Sequence, residues 1–289
     1  MTLRIFVTVL LLAACSFAQA PQPDDGVGTR PGSFSPRSLG LGHTFLTNQL
    51  GSPALMGNPA TLADQESPWN LGLNADVARI KETRSYPFYD SFDGVLGYNN
   101  YALNDHVYSK LDGGASYRLK QDKLESMVVS VGTYSAYQFG YKYHEEVRNR
   151  FTSGGVQDLV LGQNVLEVDG DLRAYSIGAA ASEGDLAMGF SLSLLSGDWG
   201  YVNGVYYASP DSLDQVQRVD YSPDGTPAEL NLGGTYDINP RVRVGARALF
   251  PTGDFKYEFD NIVTIGDTSS LSKGTATVKY PSHLAVGVQ

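Results

Sequence analysis

The chain has 289 residues, a net charge of −10, 32 glycines and 18 tyrosines, and only 18% of its residues are charged. This composition argues against a nucleic-acid partner, because phosphate binding needs clustered lysine and arginine and the sequence shows no basic patch. After residue 20 there is also no apolar run of about 18 residues, which excludes a membrane-spanning helix from this part of the sequence.

Residues 1–20 have the layout of a secretory signal peptide, with Arg4 ahead of an apolar run and small residues at its end. Cleavage after Ala18 or Ala20 is the first interpretation, and a lipobox that makes Cys15 the lipidated first residue is the alternative. The first interpretation discards Cys15, so the mature chain has no disulfide and no cysteine-bound metal. Both interpretations predict an exported protein.

Residues 21–36 are rich in Pro, Gly and Asp, which predicts a flexible N-terminus. Residues 37–66 follow as a glycine-rich, apolar segment without the period of a strand. This segment contains GNPATLA at 57–63, in which Asn58 and Pro59 predict a short helical turn with Asn58 as the N-cap and Pro59 at the first helical position.

From Trp69 onward, alternation of apolar and polar residues predicts strand after strand. The clearest runs lie at 69–77, 111–119 and 127–143. The last run exceeds the ~5–6 residues of an ordinary strand, and its odd-numbered residues are predicted to form one apolar face. Hairpins with short turns are predicted at 174–195 and 229–250, and long polar loops at 144–171 and 200–228. Short turns at one end and long loops at the other are typical of outer-membrane barrels.

Aromatic and turn-forming residues add three expectations. The tyrosines from Tyr137 to Tyr143 and the pair Trp199 and Tyr201 suit a membrane interface, or alternatively the ends of a soluble β-core. Pro251 and Pro281 are expected to mark strand starts or bends at the rim of the sheet, and a lateral gap in the wall is the weaker alternative. The Asp-Gly-Asp sequence at 169–171 is expected to form a turn.

The motifs of common enzymes are missing from the sequence. The four histidines have no metal-pair spacing, no Gly-x-Ser-x-Gly elbow surrounds a serine, and GVGTRPG at 26–32 lacks the strand and helix of a dinucleotide site. We therefore predict a protein that is not an enzyme, with no catalytic residue, metal or cofactor. A His–Ser pair brought together by folding stays open as an alternative.

The order RSLGLG (37–42), a spacer, GNPATLA (57–63) and then β-hairpins resembles the FadL-like outer-membrane transporters, and more closely their PorV-type branch. The resemblance implies a barrel of about fourteen strands with residues 37–66 folded inside as a hatch. Residues 67–289 would form the barrel. This barrel is expected to be incomplete, because the chain stops at HLAVGVQ within a predicted strand.

The expected fold is therefore all-β, a transmembrane antiparallel β-barrel in the cell outer membrane, and a soluble β-sandwich is the alternative. FadL-like proteins pass hydrophobic compounds such as long-chain fatty acids, whereas PorV-like proteins serve type IX protein secretion. Expected partners are outer-membrane lipid, hydrophobic small molecules and, in the PorV-like case, secretion-system proteins; a purely structural barrel is the third alternative. An apolar pocket continuous with the hatch favours transport, and a polar, filled interior favours a scaffold. The predicted ligand-binding residues of the hatch are Leu55, Met56, Asn58, Pro59, Ala60 and Leu62.

Overall fold

The computed structural model of the chain describes residues 28–30, 35–42, 44–48, 50–90, 92–149 and 159–289. The predicted signal peptide with Cys15 and most of the predicted flexible N-terminus lie outside the described residues.

The described residues form one antiparallel sheet of twelve strands and three short helices. The helices are α1 (Pro36–Gly40) and two 3-10 helices, η1 (Ser52–Leu55) and η2 (Pro59–Asp64). The strands are β1 (Trp69–Tyr89), β2 (Val95–Arg118), β3 (Ser126–Asn149), β4 (Leu159–Glu183), β5 (Leu186–Ser196), β6 (Trp199–Tyr207), β7 (Gln215–Pro223), β8 (Ala228–Asn239), β9 (Val242–Pro251), β10 (Phe255–Ile265), β11 (Thr268–Val278) and β12 (His283–Val288). The prediction of an antiparallel all-β fold is confirmed. Helices long and apolar enough to cross a membrane do not occur in this described part of the chain.

The shorter strands are halves of longer ones. β5 and β6 pair with successive parts of β4, so together they correspond to one long strand. The pairs β7 and β8, β9 and β10, and β11 and β12 likewise each take the place of one long strand in the sheet. The sheet is therefore an up-and-down meander whose later strands are each interrupted once. The interruptions lie side by side, because the Leu195 amide donates to the Pro227 carbonyl and the Thr252 amide donates to the Ala228 carbonyl, each at 2.8 Å.

The two long loops predicted at 144–171 and 200–228 are wrong in extent. β3 continues to Asn149, β4 begins at Leu159, and β6 and β7 occupy most of the second range. The Asp-Gly-Asp sequence at 169–171 lies inside β4, where Gly170 has a φ of 132°, and forms no turn. The prediction was wrong because polar residues are typical of loops but also occur along a strand whose outer face is solvated.

The row of interruptions divides the sheet into two tiers. The lower tier consists of β5, β8, β9 and β12 with residues 69–75, 111–118, 126–135 and 173–183 of the first four strands. The upper tier consists of β6, β7, β10 and β11 with residues 76–89, 95–110, 137–149 and 159–170. β3 changes face at a bulge between Ser135 and Tyr137 at the same level. The single apolar face predicted for 127–143 is therefore wrong, since Val131 is exposed while Tyr137 is buried.

The outer face of the lower tier is apolar and exposed. Leu71, Val131, Ile177, Met188 and Val286 are each more than half exposed, and every other strand of this tier also places apolar side chains outward. Above the interruptions the outer face carries charged side chains, with exposed apolar ones such as Leu103, Val107 and Leu271 among them. Its side chains there include Arg79, Asp105, Asp169, Arg218, Glu258 and Lys273.

The inner face of the lower tier surrounds an N-terminal stretch, residues 44–48 and 50–65, which we call the inner segment. Residues 51–63 are all buried. η1 and η2 contact β1–β5 and β8, while Leu46 approaches Gly245 of β9 and Gly287 of β12. Since all eight lower-tier strands touch one segment, the sheet curves around it. Within the described residues the outer edges of β1, β11 and β12 have no strand partner.

Close approach of the inner segment to the wall depends on glycines of the wall. A Cβ atom on Gly189 would lie 2.6 Å from the Pro59 carbonyl carbon and 2.7 Å from the Ala60 nitrogen. Wall glycines in this role are Gly114, Gly178, Gly189, Gly233 and Gly245. The glycines of the wall therefore provide the space that the inner segment occupies.

We predict that Gly189→Ala lowers the free energy of unfolding by about 1–3 kcal/mol, because the added methyl group displaces backbone atoms of η2. Gly234→Ala is the matched control, since a Cβ there finds only the Ala187 carbonyl oxygen at 3.9 Å. Urea unfolding of both variants in detergent micelles measures the difference. Equal stability of the two variants would contradict the close packing of η2 on β5.

Candidate functional site

Both the oxygen and the nitrogen of the Asn58 side-chain amide hold η2 in place. Its Oδ1 accepts a bond from the Ala60 amide at 3.1 Å, which is the predicted N-cap, and its Nδ2 donates to the Leu46 carbonyl at 2.6 Å and the Gly234 carbonyl at 3.2 Å. Pro59 stands at the first helical position, as predicted. The fully buried amide therefore closes the turn and fixes it to β8.

Polar side chains of the wall satisfy the remaining backbone of the inner segment. Asn231 Nδ2 donates to the Leu55 carbonyl at 3.0 Å and to the Gly57 carbonyl at 2.9 Å, and Ser191 Oγ also donates to Leu55 at 2.5 Å. At the lower end Arg243 binds Asp64 at 2.6 Å. Burial raises the pKa of the Asp64 carboxyl, against the opposing effect of Arg243. Polar side chains of the wall therefore surround the inner segment closely and form hydrogen bonds with it.

The six predicted ligand-binding residues, Leu55, Met56, Asn58, Pro59, Ala60 and Leu62, all lie in this buried segment. The structure brings them together, with the Met56 sulfur accepting from Ser176 at 3.5 Å and Ser193 at 3.7 Å. None of the six lines the cavity described below. Their role in binding a ligand stays a prediction, and a ligand reaches them only after the segment moves.

A buried ion pair joins the N-terminus to the wall above the inner segment. Arg30 forms a two-pronged pair with Glu229 of β8, Nη1 to Oε1 at 2.8 Å and Nη2 to Oε2 at 3.0 Å, and Glu229 is 1% exposed. The Tyr137 hydroxyl donates to the same carboxylate at 2.8 Å. Arg247 of β9 is a second buried guanidinium nearby, whose Nε donates to Asn231 at 2.9 Å.

Aromatic rings form a row across the inner face of the upper tier. Trp199 of β6 stacks on Phe139 of β3 at 4.5 Å between ring centres and on Tyr221 of β7 at 5.0 Å, and Tyr221 contacts Phe259 at 5.7 Å. Gly170 lies between Phe139 and Trp199 in the register, which leaves space for the rings to stack. The expectation that Tyr137–Tyr143 and Trp199 face a membrane interface is wrong for the buried rings of Tyr137, Tyr143 and Trp199, because these turn inward.

The seam between β2 and β3 is paired by backbone only in the lower tier, from Gly113–Thr133 to Arg118–Val128. Above it, β2 side chains bind the free edge of β3. Asn104 accepts from the His144 amide at 2.8 Å and donates to its carbonyl at 3.0 Å. The Tyr108 hydroxyl accepts from the Lys142 amide at 2.9 Å, and Asp112 accepts from the Ser135 amide at 2.9 Å. Thr29 exchanges two backbone bonds with Gln138 between these points.

A cavity of about 730 Å³ lies in this seam, at the level where the tiers meet. Its lining includes side chains from both faces of β3 and β4: Phe139 and Val168 point inward, and Lys142 and Asp169 point outward. Gly28 and Thr29 of the N-terminal part also line it. The cavity therefore lies in the gap of the wall itself. Its charged lining residues are Asp76, Lys110, Lys142, Asp169, Asp171 and Arg173.

Sequence reasoning missed this site. The only signal in the sequence is the spacing of Asn104, Tyr108 and Asp112, three polar residues four apart on one face of β2. That spacing is common in a strand with one solvated face, so by itself it does not indicate a binding site. In the described ranges, no three His, Cys, Asp or Glu side chains meet in an arrangement that would hold a metal ion.

Comparison of the chain with protein-family models, with curated proteins and with solved structures finds no match.

We predict that Glu229→Gln lowers the free energy of unfolding by about 3–5 kcal/mol, because it leaves the Arg30 guanidinium buried without its counter-charge. The matched control is Asp260→Asn, which removes the carboxylate of an exposed pair, Lys273–Asp260 at 2.8 Å, with an expected effect below about 1 kcal/mol. Chemical unfolding in micelles measures both.

The double variant Arg30→Met with Glu229→Met provides a further check. It removes both charges together, so we expect a smaller loss than from Glu229→Gln alone. A double variant less stable than Glu229→Gln would contradict the assignment of the loss to an unpaired buried charge.

Proposed function

We propose that this chain forms wall and inner plug of an outer-membrane β-barrel and passes hydrophobic or amphiphilic compounds, long-chain fatty acids among the candidates, through the gap between β2 and β3. The single observation that carries this proposal is the inverted polarity of the lower tier. Apolar side chains face outward there, and serine, asparagine and paired charges face inward. A water-soluble sheet has the opposite arrangement on its solvated face.

The dimensions of the lower tier agree with a bilayer. β5 has 11 residues and β9 has 10, close to the ~9–11 residues of a strand that spans a membrane. The charged outer face begins at the interruptions of the strands. We therefore place the membrane boundary at the row of interruptions, with the upper tier outside the hydrocarbon.

The route follows from where the wall is open. Residues 51–63 of the inner segment are buried and bound to the wall by Asn58, Asn231 and Ser191, which leaves the segment itself as an obstacle to a straight path. The cavity between β2 and β3 instead joins inward-facing rings such as Phe139 to the outer face of β4. A compound that enters the upper tier reaches the bilayer by this lateral path while the inner segment stays in place.

The second candidate is a PorV-like component of a secretion system that transports nothing itself. The polar and filled surrounding of the inner segment favours it, because a permanently plugged barrel suits a scaffold. The two candidates share the same membrane wall and differ only in whether the β2–β3 gap conducts.

For the membrane assignment we predict that Leu192→Arg on the outer face of β5 lowers the free energy of unfolding in lipid by about 2–4 kcal/mol, because the guanidinium is forced into hydrocarbon. Thr275→Arg on the exposed part of β11 is the control and is expected to change stability by less than about 0.5 kcal/mol. Unfolding from vesicles, with heat-modifiable gel migration as the test of insertion, measures both. Equal small effects would contradict a membrane-facing lower tier.

For the route we predict that cross-linking Tyr108→Cys to Lys142→Cys with a reducible bismaleimide stops uptake of a labelled fatty acid into vesicles. Reduction of the cross-link should restore it, because the β2–β3 gap is then free to widen. The matched control links Lys256→Cys to Thr277→Cys, register partners on β10 and β11, where the ladder is complete. Cross-linked protein that transports at the unlinked rate rules out the lateral route.

A protein that inserts into vesicles and shows no uptake in any form supports the scaffold instead. Insertion is scored separately by gel migration, so absence of uptake is not confused with absence of folding.

A further inference from the structure

The charges around the β2–β3 cavity are balanced in number. Asp76, Asp169 and Asp171 stand against Lys110, Lys142 and Arg173. A ligand with a single negative charge would be repelled by the three carboxylates, and a ligand with a single positive charge would be repelled by the three cationic side chains. A ligand that carries both signs meets an opposite charge on each side.

Most of these charges are already used. Lys110 binds Asp76 at 3.1 Å, and Arg173 binds Asp112 at 3.3 Å and approaches Asp171 at 3.7 Å. These pairs form a fixed frame for the cavity.

Three polar groups of the lining remain available. Within the described residues, the Lys142 ammonium and the Asp169 carboxylate make no ion pair or side-chain hydrogen bond, and His106 Nε2 is buried without a hydrogen-bond partner. Lys142 and Asp169 lie two residues apart in register, since Asp169 faces Gly140 across the β3–β4 ladder. An uncompensated buried polar atom is unfavourable, so a polar ligand that binds His106 removes a cost.

Apolar surface adjoins the same cavity. Leu111 lines it and is 56% exposed, and Val77 on the neighbouring strand is 72% exposed. Leu111 belongs to the outward apolar face just below Lys110, and Val77, which pairs with Ser109, lies one residue above Asp76 on the same outward face. A ligand whose head lies among the charges therefore has its apolar tail next to the lower tier.

We propose that this cavity binds the head of a zwitterionic amphiphile, a phosphate and a primary ammonium on an alkyl chain, with Lys142 and His106 at the phosphate and Asp169 at the ammonium. The inference rests on the proposed membrane function and narrows its substrate class from fatty acids to amphiphiles with both charges. The same head group occurs on a bilayer lipid and on a single-chain compound from the medium.

The test measures binding to the full chain in phosphatidylglycerol vesicles by titration calorimetry. The probes share one chain length and differ in the head: lauroyl lysophosphatidylethanolamine, laurate and dodecyltrimethylammonium. We expect the zwitterion to bind about tenfold more tightly than either singly charged probe, the effect of one charge-assisted hydrogen bond. Lys142→Gln with Asp169→Asn should remove this preference, and Lys273→Gln with Asp260→Asn, the same change on an exposed pair, should keep it.

Equal affinity for the three probes in the unmodified protein overturns the proposal, and so does a preference that survives Lys142→Gln with Asp169→Asn. Phosphoethanolamine that binds as tightly without a chain overturns the amphiphile assignment. Loss of lysolipid binding when the vesicles contain phosphatidylethanolamine supports the proposal and identifies a bilayer lipid as occupant; unchanged binding supports it with the medium as source.

Heat-modifiable gel migration and fatty-acid uptake of the same preparations separate the two levels. Protein that inserts and transports but shows no head-group preference overturns this inference alone. Protein that does not insert overturns the membrane function and this inference together.

Discussion

The lower tier turns its apolar side chains outward, and the rest of the structure adapts to that constraint. With hydrophobic residues on the outside, the inner face carries many small and polar side chains beside a few large apolar ones such as Val128, Tyr134 and Leu195, and these few do not fill the interior alone. The inner segment supplies the missing volume. Its backbone carbonyls find Asn231 and Ser191, and its turns fit over glycines such as Gly189. The polar inner face of the wall and the inner segment that fills it therefore depend on each other.

The interruptions of the strands have a common physical origin in the change of surroundings along the sheet. Below them the outer face is apolar and the inner face largely polar; above them charged side chains appear on the outer face and aromatic rings on the inner face. A strand with strict period two cannot exchange its faces without an irregularity. The bulge after Ser135, the left-handed Gly170 and the breaks near Pro251 and Pro281 each provide one. Pro251 ends β9 and Pro281 lies between β11 and β12, so both prolines stand at the boundary between the tiers and not at the rim of the sheet.

The β2–β3 seam is held together differently in the two tiers. Backbone pairing in the lower tier fixes the register, while the upper seam is held by Asn104, Tyr108 and Asp112 acting on single amides of β3. Such side-chain bonds break one at a time, whereas a complete ladder separates cooperatively. The Arg30–Glu229 pair and the Thr29–Gln138 bridge tie the N-terminus beside this seam. The upper part of this seam therefore lacks the backbone ladder of its lower part, next to the cavity that Lys142 and Asp169 line.

The sequence by itself determined the strand period from Trp69 onward, the hairpins near 184 and 240, and the turn at Asn58-Pro59, because each depends on neighbours within a few residues. It also placed Leu55, Met56 and Leu62 in a segment distinct from the strands. It did not determine the true length of β3 and β4, since charged residues on a solvated outer face resemble a loop. Only the tertiary structure decided that Tyr137 and Trp199 turn inward, that Arg30 meets Glu229 across 199 residues, and that Lys142 and Asp169 share a cavity. These contacts join distant strands, and a single bulge reverses which side chains take part, so no local pattern encodes them.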